Sequence, residues 1–92
     1  MTEIRAIAPL DMSGDVSKNW SFWIQKFKNY LKATEIDKKT EDIQCAQLLQ
    51  LIGDEGIRIF NTFKIDEKDK DKIAIFIGEF DNFFSTKNKF SV

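Results

Sequence analysis

From Ser17 onward the apolar positions recur at helical spacing. Trp20, Trp23, Ile24, Phe27, Tyr30 and Leu31 fall at i, i+3, i+4, i+7, i+10 and i+11. A helix turns about 100° per residue, so this spacing gathers them on one face. Lys26, Lys28, Asn29 and Lys32 occupy the rest, and the pattern predicts a helix over 17–34. Asp15 or Ser17 is placed to accept hydrogen bonds from the free N–H groups at its start. A second helix is predicted over 41–52. There Cys45, Leu48, Leu49 and Ile52 share one side, widened by Ala46, while Gln44, Gln47 and Gln50 take the other. Thr40 suits its N-cap, Glu41 and Asp42 suit the positive end of its dipole, and Gly53 is a natural stop.

A third, short helix is predicted over 55–63, where Ile57, Ile59, Phe60 and Phe63 cover a wide arc weakened by Gly56. Lys64–Lys72 interleaves charges of both signs and reads as a solvated loop entering a helix. Ile73, Phe76, Ile77, Phe80, Phe83 and Phe84 then repeat the offsets of the first helix and predict a fourth over 70–85. The residues between these two long helices do not repeat, so they share amphipathicity and not an internal duplication. Residues 1–15, with Pro9 and Gly14, have no helical period and read as an extended lead-in. Its apolar Ile7–Leu10 stretch is expected to lie against the domain, and 86–92 to be a frayed tail.

The fold class that follows is all-α, a single domain over 1–92 built as a compact bundle of about four helices. Its expected core is Trp20, Trp23, Phe27, Tyr30, Leu31, Leu49, Ile52, Phe60, Ile73, Phe76, Phe80 and Phe83. A chain of 92 residues buries only about 60–65% of its unfolded surface. Nine Phe and two Trp offset that, since each buried aromatic brings about 150–250 Å² of contact.

Charge and residue inventory narrow the function. Fourteen Lys and Arg against fifteen Asp and Glu leave a net charge of −1, which argues against direct nucleic-acid binding. One Cys and no His exclude an internal disulfide, a zinc knuckle and histidine-based catalysis. Gly53-Asp54-Glu55-Gly56 puts carboxylates where a phosphate loop needs open N–H groups. Asp66, Asp69 and Asp71 lack the central Gly and closing Glu of a calcium loop. Cys45, on an apolar side, reads as a buried structural thiol. We therefore expect no catalytic residues, no cofactor, no metal and no enzyme. With no apolar run of about 18 residues, the expectation is no membrane association and a soluble, cytoplasmic protein. Two apolar residues stand off the stripes: Phe22, opposite the Trp20/Phe27 face, and Ile75, near Gly78. Together they are a candidate interface.

The order of motifs resembles Ty3/Gypsy-type retrotransposon Gag capsid domains. Ser13-Gly14-Asp15, then Trp20, Trp23, Phe27 and Tyr30-Leu31, is similar to their opening turn and W-x-x-W/F-x-x-x-F-x-x-Y/F helix. Leu31-Lys32-Ala33-Thr34 resembles the "L-x-A-T/S" exit. Leu48-Leu49, Leu51-Ile52-Gly53-Asp54-Glu55-Gly56 and Ile59-Phe60-Asn61-Thr62-Phe63 look like the family's central stretch. Phe80, Phe83-Phe84 and Lys87-Asn88 look like its "F-x-x-Y/F-F-x-P-K-x-N" ending, with Thr86 where proline is common. The likeness runs from about Leu10 to Asn88. It implies the capsid N-terminal lobe, self-associating as a homo-oligomer in the lattice of virus-like particles, with genomic RNA bound elsewhere in the polyprotein. By that analogy Phe22, Lys26 and Asn29 face the neighbouring lobe. The capsid-derived N lobe of neuronal Arc implies an alternative, a module binding short peptides in an apolar groove. Ile7 and Leu10 would line or occupy that groove. An unrelated helical interaction domain fits the composition but not the motif order.

Overall fold

Each periodic stretch folds as an α-helix. The computed structural model describes residues 7–89 and orders them as α1 (Val16–Ala33), α2 (Glu41–Ile52), α3 (Asp54–Phe60) and α4 (Ile73–Lys89). Short 3-10 turns, Ile36–Lys38 and Glu67–Asp69, lie in the two longer connections. No strand occurs among the described residues, so the chain is an all-α bundle of four helices.

Local chemistry accounts for the boundaries. The Asp15 carboxylate accepts the Lys18 N–H at 3.2 Å and starts α1. At the other end Glu35 adopts φ 61° and donates its N–H to the Lys32 carbonyl at 3.1 Å, a left-handed exit that usually calls for glycine. Ile36, just beyond, folds back against the core. Gly53 separates α2 from α3 with φ 98°, and a Cβ there would stand 3.0 Å from the Pro9 Cβ. Both its backbone angle and the nearness of the lead-in require glycine.

Three expected boundaries shift. The third helix stops at Phe60 and not near residue 63: the Thr62 hydroxyl donates to the Ile59 carbonyl at 2.7 Å, and the chain leaves through a tight turn. The fourth begins at Ile73 and not near residue 70, because the Glu41 carboxylate of α2 accepts the Ile73 N–H at 3.0 Å. A cap supplied from another helix has no local sequence signature. The fourth helix also runs past Ser85 to Lys89, since that stretch contains neither Gly nor Pro to stop it. Residues 1–6 of the expected lead-in and 90–92 of the expected tail lie outside the described residues.

The core is an aromatic seam between α1 and α4, closed by α2 and α3. Trp20 stands 5.3 Å from Phe80 and 5.4 Å from Phe84 between ring centroids. Trp23 stacks on Phe27 at 5.5 Å, while Phe60 meets Phe76 at 4.8 Å and Phe63 meets Phe80 at 5.0 Å. These distances suit the offset and edge-on geometries that add to plain burial. Phe27, Phe80, Phe84, Leu48 and Ile52 are fully buried. Of the expected core, Trp20, Trp23, Leu31 and Phe76 are buried as well. Tyr30, Leu49, Phe60, Ile73 and Phe83 are instead half-buried at its rim, packed against it. A slab this thin has few interior positions, so part of each stripe ends at its edge.

Candidate functional site

The lead-in is built into the domain. Asp11 accepts hydrogen bonds from the Ser13 hydroxyl at 2.6 Å and the Ser13 N–H at 2.9 Å, and these hold its carboxyl below the usual carboxylate range. Asn19 of α1 ties the same turn down, donating to the Asp11 and Ser13 carbonyls at 3.0 and 2.8 Å. Upstream, the Trp23 indole N–H donates to the Ala8 carbonyl at 2.7 Å. The Leu10 N–H donates to the Ile52 carbonyl at 3.1 Å. Leu10 is buried and Ile7 half-buried, so these two fill the space between α1 and the α2–α3 corner. Beside this strap runs an open groove of about 360 Å³, walled by Pro9, Asp11, Phe22, Trp23 and Lys26.

The solvent face of α1 carries the expected candidates. Phe22 is 57% exposed, and Lys26 and Asn29 are exposed beside it. The helix contains four lysines (Lys18, Lys26, Lys28 and Lys32) and no acidic residue. Ion pairs form elsewhere: Lys38–Glu35 at 2.9 Å, Lys72–Asp69 at 3.6 Å, Lys70–Glu67 at 2.5 Å, and Arg58–Glu55. None of the α1 lysines is paired with a described residue. The face is thus cationic with one large aromatic at its centre.

Ile75 does not match Phe22. It is half-buried, so the expected pair reduces to Phe22 alone. α4 packs against both α1 and α2, and helical phase measured on one stripe does not reveal a second neighbour. Two other apolar residues are exposed instead, Ile43 at 42% and Ile57 at 37%. Ile43 was legible: it sits two residues before Cys45, about 200° around the helix from the buried stripe. Ile57 was not, because a helix as short as α3 gives too few turns to define its phase.

Cys45 is 4% exposed, and burial, then the carboxylates of Asp71, Glu41 and Asp42, push its thiol up to about 11. Among the described residues no group of three or more Cys, Asp or Glu side chains is placed to hold a metal ion, and no helix is long and apolar enough to cross a membrane. The buried indole of Trp20 donates to Asp81 at 2.6 Å, and among the described residues no buried side-chain polar atom lacks a partner. Comparison with protein-family models, curated proteins and solved structures gives no match for this chain.

Proposed function

We propose that this domain is a structural lobe of the Ty3/Gypsy Gag capsid kind, which packs against copies of itself to build a capsid-like shell. The observation that carries the reading is Phe22, a large aromatic 57% exposed at the centre of the α1 solvent face. Fully burying such a side chain is worth about 1.5–3 kcal/mol, enough for weak pairwise contacts that a lattice would multiply. The motif order supports it too, since the aromatic positions shared with the family form the α1–α4 seam. The role is mechanical and assigns no catalysis or cofactor. It uses no nucleic-acid or membrane contact by this lobe and places the protein in cytoplasmic particles. Sedimentation at millimolar protein tests it: the wild type forms weak oligomers and Phe22→Glu does not. A strictly monomeric wild type at that concentration refutes it.

The groove beside the strap favours a second reading, capture of a short apolar peptide against Pro9, Phe22 and Trp23. In that case aromatic-containing peptides shift the Trp23 indole resonance in NMR spectra. An unmoved Trp23 signal across such a peptide panel retires the idea.

A further inference from the structure

The strap of residues 7–10 sits in a seat that grips backbone. The Trp23 indole N–H donates to the Ala8 carbonyl at 2.7 Å, and two residues on the Ile52 carbonyl accepts the Leu10 N–H at 3.1 Å. One donor from α1 and one acceptor from α2 thus hold two main-chain groups of one short segment, a mode of recognition that any sequence can satisfy. The side chains are read as well. Leu10 is buried, and Pro9 lies against Gly53, where a Cβ would stand 3.0 Å from the Pro9 Cβ. Ala8 is exposed and borders the open groove of about 360 Å³ with Phe22, Trp23 and Lys26. Its place in the seat is the underfilled one. The strap is also weakly held. Against one buried leucine and two hydrogen bonds stands the ordering of the segment, where each residue costs about as much as a hydrogen bond returns. The turn that follows is tied separately, by Asn19 to the Asp11 and Ser13 carbonyls, so the strap can leave without disturbing α1. Segments with so few contacts open far below the global stability.

We propose that residues 7–10 are the built-in occupant of a peptide site, displaced by a partner protein's segment of the form apolar–aromatic–Pro–Leu. The partner's leucine takes the place of Leu10, its proline lies on Gly53, and its backbone takes over the Trp23 and Ile52 bonds. Its aromatic, standing where Ala8 stands, fills the groove beside Phe22. This goes beyond the peptide-capture reading, which leaves the strap in place and seats a peptide next to it. A second copy's strap is a poor occupant. It brings the same side chains as the strap already seated, which competes at an effective concentration on the order of millimolar. A successful competitor must make a contact that the strap does not, and the groove beside Ala8 offers it. The site is therefore closed by default. Its apparent affinity is lowered by the fraction of molecules whose strap is open, and anything that loosens the strap raises it.

The test uses the whole isotope-labelled chain and the end-blocked peptide Ile-Phe-Pro-Leu-Asp, read by NMR at the Trp23 indole and the Leu10 amide. In the native protein the Leu10 amide exchanges with solvent about 100-fold or more faster than the Phe27 amide. The peptide shifts the Trp23 indole signal saturably and frees the Leu10 N–H. Ile-Ala-Pro-Leu-Asp, the strap's own sequence, binds about tenfold more weakly because it leaves the groove empty. Leu10→Ser loosens the strap and tightens both peptides about tenfold. Exchange of Leu10 and Phe27 at one common rate means that the strap leaves only when the domain unfolds, and overturns the proposal. A Leu10→Ser chain without helical circular dichroism overturns it too, as does one that binds the peptides no better than the wild type. If the aromatic peptide moves Trp23 while the Leu10 amide stays protected, the peptide lies beside the strap; this proposal then fails and the capture reading stands. If the strap's own sequence binds as tightly as the aromatic peptide, the occupant is another copy's strap and the partner assignment is overturned.

Discussion

Gly56→Ala is the sharpest check on the packing described here, because two effects of known size oppose each other. Gly56 lies inside α3, where replacement by alanine normally gains about 1 kcal/mol of helix propensity. Its Cα is buried against α2, however. A Cβ would sit 2.5, 2.6 and 2.8 Å from Cγ2, Cγ1 and Cδ1 of Ile52. Two of those atoms are attached directly to the Ile52 Cβ, so no rotation of a flexible end clears them. Ile52 is itself 1% exposed and has nowhere to move. Forcing a methyl into such a site costs about 1–3 kcal/mol, and with three contacts this short the upper half of that range applies. After the propensity gain, the net loss is about 1–2 kcal/mol. For a domain of this size that lowers Tm by about 5–15 °C.

The assay is urea unfolding followed by the fluorescence of Trp20 and Trp23, both buried. It is completed by the cycle with Ile52→Ala, with sucrose added equally to every sample to keep the weakest variant folded. In the Ile52→Ala background the clash is gone, so Gly56→Ala should stabilise by about 0.5–1 kcal/mol. The same substitution thus changes sign with its neighbour. An increase in stability when Gly56→Ala is made in the wild-type background would refute the argument.

Three further outcomes follow from single contacts. Asp81→Ala strands the Trp20 indole N–H in the aromatic seam and should cost about 1–3 kcal/mol, while Asp81→Asn keeps an acceptor and costs less; chemical denaturation compares the two. Glu35→Gly relieves a left-handed residue that has a side chain and should stabilise by about 0.5–1 kcal/mol, seen as a rise in Tm. The Cys45 thiol is raised from 9.0 to about 11 in the folded protein. The unfolded chain therefore loses its proton first as pH rises, and stability should fall between those values. At neutral pH alkylation of Cys45 should track unfolding, so rapid labelling of the native protein would contradict its burial.

The architecture was legible because long amphipathic helices declare themselves locally. The Trp20–Leu31 and Ile73–Phe84 stripes each span three turns, enough for phase and face to be unambiguous, and both fold as read. Phe22 could also be placed outward, since opposition to a strong stripe is a local fact. Ile75 could not, because its environment includes α2 as well as α1. Gly56 was misjudged for the same reason: alone it is a weak point in a helix, but beside Ile52 it is the gap that lets α2 and α3 meet.

Periodicity along the chain therefore decided which segments are helical and which side of each long helix faces inward, because both depend on residues within a few turns of one another. The tertiary structure alone decided the cap that Glu41 lends to α4, the Trp20–Asp81 bond across 61 positions and the strap of residues 8–10 over Trp23 and Ile52. These features join groups distant in sequence. Their energies exist only once the helices have packed, so no local pattern could encode them.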